Sequence, residues 1–142
     1  MIKAEDLRIG DLVIVNENCS LEQGTIGKVS EVRSTPLYKE NEGSIGLKPI
    51  SNDRWPWGVL CRNIDPIPLT PEILEKNGFN MREDTVVYAK NRLGLKPLGD
   101  GKGYQVGLGS LRLLFVKVRI IKYVHELQHI LWALGLDAEL KV

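Results

Sequence analysis

Residues 119–135 read R-I-I-K-Y-V-H-E-L-Q-H-I-L-W-A-L-G, which is the longest run of periodic apolar residues in the chain. A helical period of about 3.6 residues places these apolar side chains on one stripe. The stripe consists of Ile120, Tyr123, Val124, Leu127, Ile130, Leu131 and Leu134. Gly135 follows the last of them, and glycine readily adopts the left-handed conformation that ends helices. The pattern predicts an amphipathic helix with one buried face.

The same run holds both histidines of the protein in the pattern H-E-x-x-H. On the helices of zinc peptidases, two histidines four residues apart bind Zn²⁺, and the glutamate acts as general base. His125 and His129 are therefore candidate metal ligands, and Glu126 is a candidate catalytic base. One interpretation of the chain is a minimal zinc metallohydrolase.

Other features of the sequence favour an amphipathic core helix without a metal cofactor. A catalytic zinc needs three protein ligands, and the candidates for the third are poorly placed. Asp137 and Glu139 follow the break at Gly135, and Cys61 lacks the flanking motifs of the peptide deformylases that use such a thiolate. The stripe centres near Leu127, which predicts that both histidines face solvent. A non-catalytic surface metal site is the third alternative.

Composition is that of an ordinary globular protein: 142 residues, 43% hydrophobic, 26% charged and a formal net charge of +1. No apolar stretch is long enough to cross a bilayer, and the N-terminus is polar and acidic, unlike a signal peptide. We therefore expect a cytoplasmic protein with no membrane partner. Cys19 and Cys61 are expected to be free thiols.

Positive charge is concentrated in residues 90–122, which contain one acid, Asp100. The basic residues are Lys90, Arg92, Lys96, Lys102, Arg112, Lys117, Arg119 and Lys122. Tyr88, Tyr104 and Phe115 are interleaved with them. Cations for phosphates and rings for base stacking are typical of nucleic-acid-binding sheets, so these basic residues are candidate nucleic-acid ligands. A solvated outer face is the alternative.

Residues 1–66 contain four short runs of strand-forming residues with glycine-marked turns between them. The first two runs resemble the opening hairpin of SH3-like barrels of the KOW type. The resemblance is carried by Gly10, Asp11, Val13, Val15, Gly24, Gly27, Val29 and Val32. It implies a small β-barrel and a partner such as RNA. Glu17 and Glu22 in the intervening loop are poorly suited to a phosphate backbone.

Residues 70–79 predict a short helix with both ends marked. Thr70 is a good N-cap, and Pro71 fits the first helical position, where its missing N–H is not needed. Asn77 and Gly78 end the helix, and Phe79 is placed to fold back onto its last turn. Strands are predicted over 85–89, 104–108 and 111–118, with a glycine-rich connection over 93–103 and a tail or edge strand over 136–142.

The predicted fold is α+β. A small N-terminal SH3-like β-barrel over residues 1–66 precedes a helix–β-meander–helix unit over residues 67–142, with separate cores or one shared core. Residues 66–79 and 121–134 together resemble a family of small proteins of uncharacterised function from Bacteroidetes and their phages or mobile elements. The resemblance implies no particular activity. We expect a non-enzymatic binding or accessory module that contacts nucleic acid or a protein partner.

Overall fold

The computed structural model describes residues 2–17, 19–33, 43–51, 55–82, 86–109 and 116–142. The chain divides into two compact units, Met1–Ile67 and Pro68–Val142. Of the described residues, 42% lie in strands and 19% in helices, and both sheets are antiparallel. The protein is therefore mostly β.

The N-terminal unit is built on a sheet of five described strands in the order β4-β3-β2-β1-β5. The strands are β1 (Leu12–Val15), β2 (Ile26–Arg33), β3 (Ser44–Pro49), β4 (Trp57–Leu60) and β5 (Ile64–Pro66). A 3₁₀ turn, Cys61–Asn63, joins β4 to β5. Alternating aliphatic residues of the strands, such as Val13, Val15 and Leu47, form the core of this unit. Cys61 is buried and Cys19 is exposed, and both are free thiols.

The C-terminal unit is built on a second sheet of five described strands, in the order β10-β9-β8-β7-β6. The strands are β6 (Asn80–Arg82), β7 (Val87–Lys90), β8 (Leu93–Pro97), β9 (Tyr104–Leu108) and β10 (Val116–Ile121). The helices are α1 (Pro71–Lys76), before the sheet, and α2 (Val124–Ala133), after it. In the described part of the chain, no helix has the length and the apolar run that a membrane crossing needs.

The predicted helix over residues 70–79 is confirmed. Thr70 Oγ1 accepts a hydrogen bond from Ile73 N at 3.4 Å, and Pro71 is the first helical residue. Gly78 takes a positive φ of 81°. Phe79 N donates to Leu74 O at 3.0 Å, and the Phe79 ring is fully buried. The local capping signals were sufficient to specify this element.

The predicted α+β class, with its helix–β-meander–helix unit, is wrong. The predicted helix over 119–135 is shorter, because residues 119–121 belong to strand β10 and α2 begins only at Val124. The sequence V-K-V-R-I-I at 116–121 is rich in β-branched residues, which lose side-chain freedom in a helix and pack well on a sheet. Strand β8 (Leu93–Pro97) occupies the first five residues of the predicted connection over 93–103, and the tail over 136–142 forms no strand. The predicted strand over 111–118 lies mainly outside the described residues.

The register of the second sheet gives its two faces. Residues directly opposite each other on neighbouring strands point to the same side. One side, the core face, carries Tyr88, Leu93, Leu95, Tyr104, Val106 and Ile121, all of which are buried. The other side, here called the outer face, carries Asn80, Arg82, Val87, Ala89, Gly94, Lys96, Gln105, Gly107, Lys117 and Ile120.

Candidate functional site

Glu126 of the H-E-x-x-H motif caps the N-terminus of α2. Its Oε2 accepts hydrogen bonds from the backbone N–H groups of Lys122 at 2.7 Å and Tyr123 at 3.1 Å. Its Oε1 accepts a third bond from Arg119 Nη2 at 3.1 Å. A helix leaves its first N–H groups without intrahelical partners, and a carboxylate near that end stabilises both these groups and the helix dipole. The carboxylate of Glu126 therefore stabilises the start of α2.

The two histidines lie side by side on α2, and the prediction that both face solvent is wrong for His125. His125 is only 6% exposed, and His129 is half-buried. The His125 ring stacks on Tyr123 with centroids 5.9 Å apart, and it meets His129 edge to face at 5.7 Å. The buried side of α2 is wider than the apolar stripe, since it also includes Gln128, whose Nε2 donates to Ala138 O of the C-terminal tail at 3.1 Å.

The motif supplies two neighbouring imidazoles for a zinc ion but not a complete ligand set. Among the residues that the structure describes, no group of three His, Cys, Asp or Glu side chains is placed to hold a metal ion together. Glu126, which a hydrolase would need as base, is hydrogen-bonded to three donors of its own unit. These contacts favour the interpretation of 124–133 as a packing helix over that of a catalytic one.

Replacing Glu126 with alanine is expected to lower the free energy of unfolding by about 1–2 kcal/mol, because two backbone N–H groups lose their acceptor. The measurement is urea denaturation followed by circular dichroism. Arg119→Ala is the matched control: it removes only the half-exposed ion pair to Glu126 and is expected to cost less than about 1 kcal/mol. A Glu126→Ala variant as stable as the wild type would contradict the capping role of Glu126 and favour the zinc-hydrolase alternative.

The outer face of the second sheet brings two of the predicted basic residues together. Lys117 on β10 lies opposite Gly107, and Lys96 on β8 lies opposite Gln105, so both side chains point to this face, and both are exposed. Arg82 on β6 is also exposed there. Sequence reasoning missed Arg82 because it lies outside 90–122, and only the strand register relates it to the other two.

The other predicted basic residues that the structure describes are not on this face. Lys90 lies on the core side, where its Nζ donates to Asn77 O at 2.9 Å and lies 5.6 Å from the Phe79 ring centroid. Arg119 is bonded to Glu126, and Lys102 Nζ lies 4.0 Å from Asp100. Arg92 and Lys122 are exposed at opposite ends of the sheet, and Arg112 lies outside the described residues.

The tyrosines interleaved with the basic residues lie in the core, where nucleobases cannot stack on their rings. Tyr88 and Tyr104 are buried on the core face and meet edge to face with ring centroids 6.3 Å apart. Burial raises the pKa of both phenols above the ordinary value. The prediction that they provide stacking surfaces is therefore wrong, and Phe115 lies outside the described residues.

Comparison with protein-family models, with curated proteins and with solved structures finds no match to this chain.

Proposed function

We propose that the protein is a non-enzymatic binding module whose C-terminal unit contacts the phosphates of a nucleic acid through the outer face of its sheet. The observation that carries this proposal is the sign of the charge on that face. Arg82, Lys96 and Lys117 are its charged residues, and no acidic residue lies on it among the described strands. Cations gathered on one face attract a polyanion and release its counterions.

The acidic residues of the C-terminal unit support the same separation of charge. Those in the described part of the unit are Glu72 and Glu75 on α1, Asp100 before β9, Glu126 on α2, and Asp137 and Glu139 in the tail. None of them belongs to a strand. Glu72 and Glu75 act electrostatically on Tyr88, which belongs to the core face. Among the described residues, the charge on the outer face is therefore positive.

A protein partner is the second candidate, and it is favoured by exposed apolar side chains on the N-terminal unit. Trp55 is 89% exposed, and Ile50 and Trp57 are also exposed at the loop between β3 and β4. Exposed indoles are common at the centres of protein interfaces. We also infer that this unit is an SH3-like barrel of the KOW type, an inference supported by the strand order β5-β1-β2-β3-β4 and the 3₁₀ turn before β5.

The setting proposed for this module is the cytoplasm, as an accessory protein of a phage or mobile element. The resemblance of residues 66–79 and 121–134 supports the second part of this proposal. Two free thiols, one of them exposed, support a reducing compartment.

Binding of a fluorescent oligonucleotide, measured as a function of salt concentration, tests the nucleic-acid proposal. The double variant Lys96→Glu/Lys117→Glu is expected to lose at least about tenfold in affinity at low salt. The slope of log affinity against log salt should fall by about two, because two phosphate contacts are removed. The wild-type protein should lose affinity steeply between about 50 and 200 mM salt.

The matched control is Lys48→Glu/Arg62→Glu in the N-terminal unit, at two exposed positions. Both double variants lower the formal net charge of +1 by the same four charges. The control should retain wild-type affinity. An equal loss in both would mean that net charge and not the outer face governs binding, and an absence of binding at low salt would overturn the proposal.

A further inference from the structure

We infer that the nucleic acid is a duplex, bound through its phosphates and without readout of its bases. This inference rests on the proposed function and concerns the same outer face. Three features of the face support it: the kinds of side chain that it carries, the polar groups that are already hydrogen-bonded within the protein, and the spacing of its three cations.

Single-strand binders combine a basic groove with exposed rings on which successive bases stack. The outer face has cations but, among its described residues, no aromatic side chain. The two tyrosines of the strands are buried on the core face, 5% and 7% exposed. A single strand would therefore find charge on this face but no stacking surface, and it would lose the contribution of about 1–3 kcal/mol per base that stacking supplies.

Readout of base edges needs free donors and acceptors that reach into a groove. Gln105 is the central amide of the outer face, and its Nε2 donates to the carbonyls of Val106 and Arg119, both at 3.0 Å. The row that starts at Lys117 continues across the sheet through Gly107, Gly94, Ala89 and Asn80. Its three middle residues have little or no side chain. Asn80, at the rim, is the remaining amide.

The spacing of the cations suits two rows of phosphates. Neighbouring strands lie about 4.8 Å apart and residues rise about 3.4 Å along a strand. Lys117 and Lys96 are two strands and two residues apart, which separates their Cα atoms by about 12 Å. Arg82 and Lys96 are two strands apart and fall in one row when the register of β7 and β8 is continued by one residue, which separates their Cα atoms by about 10 Å. The major groove, which phosphate rows flank on both sides, is about 12 Å wide.

Charge density favours the duplex as well. Double-stranded DNA carries one negative charge per about 1.7 Å of axis, against about 3.4 Å for each strand alone. Three cations that contact phosphates and no bases are therefore attracted more strongly to the denser phosphate charges of a duplex. Because phosphate contacts carry no sequence information, binding of this kind is independent of sequence.

Competition of a labelled duplex with unlabelled single-stranded DNA, duplex DNA and duplex RNA of equal length tests this inference with the full-length protein. We expect duplex DNA to compete at least tenfold better than the single strand and better than duplex RNA, whose A-form major groove is narrow and deep, and DNA duplexes of unrelated sequence to compete equally. Asn80→Ala should leave the affinity for every sequence unchanged, because no amide reads a base.

A single strand that competes as well as or better than the duplexes would overturn the inference while the proposed function stands. A tenfold preference of the wild-type protein for one duplex sequence over another would also overturn the inference and leave the proposed function standing. Loss of such a preference in Asn80→Ala would identify Asn80 as the residue that reads the base. An absence of binding to any of the nucleic acids at low salt would overturn the proposed function itself.

Discussion

Replacing Gly103 with alanine is expected to lower the free energy of unfolding of the C-terminal unit by about 3 kcal/mol or more. Gly103 precedes β9 and has a φ of 89°, which disfavours any residue with a Cβ atom. A Cβ atom at this position would lie 2.2 Å from Ile121 O and 2.8 Å from Lys122 Cγ. The carbonyl belongs to the strand paired with β9, so alanine would force β9 and β10 apart.

Gly101→Ala is the matched control for Gly103→Ala. Gly101 lies in the same turn with a φ of 67°, but a Cβ atom added there would have no neighbouring atom within 4 Å. It should cost only about 1 kcal/mol, the conformational part of the effect. Urea denaturation gives the two free energies, and hydrogen exchange at the amides of β9 and β10 locates the loss. Equal destabilisation by the two substitutions would show that close packing against β10 is not what requires glycine at position 103.

The element that sequence reasoning predicted best is α1, where the determinants are local. An N-cap, a proline at the first helical position and a glycine after the end mark the two ends of a helix in the local sequence. Thr70, Pro71 and Gly78 take these roles in the structure. The bounds of this six-residue helix can therefore be read from the local sequence, while its stability comes from burial of Leu74 and Phe79.

The element predicted less well is α2, where tertiary contacts decide. Periodicity over 119–135 marks apolar positions, but it does not separate a helix from a strand that pairs with β9. Ile120 satisfied the helical period and is a half-exposed strand residue on the outer face. His125 fell on the polar side of the predicted helix and is buried in the structure. Gln128, on the same side of the helix, is buried and bonded to the C-terminal tail. The helical period of the sequence does not predict where this tail lies.

The basic cluster shows the same division between sequence and structure. A window of residues 90–122 detects an excess of charge but assigns no direction to it. Pairing within the sheet then sends Lys96 and Lys117 to the outer face and Lys90 to the core side. Arg82, which precedes this window in the sequence, is also on the outer face. Strands β6 and β8, which carry Arg82 and Lys96, were not predicted, and the register between strands depends on loops and on burial of the core face.

Replacing Asn77 with alanine is expected to lower the free energy of unfolding by about 2–3 kcal/mol, because three side-chain hydrogen bonds are lost together. Asn77 Nδ2 donates to Ile73 O and to Lys141 O, both at 2.7 Å, and Asn77 Oδ1 accepts from Lys141 N at 2.8 Å. The first bond goes to a carbonyl near the end of α1 that also accepts from the backbone N–H of Asn77 at 3.2 Å. The other two pair the amide with the backbone of the tail as a neighbouring strand would.

The consequence of this variant should extend to α2, because the same tail accepts a bond from Gln128 at Ala138 O and buries Leu140. Release of the tail would open one side of the core beneath the sheet, so the amides of Lys141 and of the last turn of α1 should exchange faster. Lys76→Ala is the matched control, since it removes a single exposed bond from Lys76 Nζ to Val142 O at 2.8 Å and should have little effect. If Asn77→Ala is as stable as Lys76→Ala, the hydrogen bonds of Asn77 are not what holds the tail in place, and burial of Leu140 does so. If only Asn77→Ala is destabilised, one amide joins the C-terminal tail to α1 and thereby supports the sheet that presents the basic outer face.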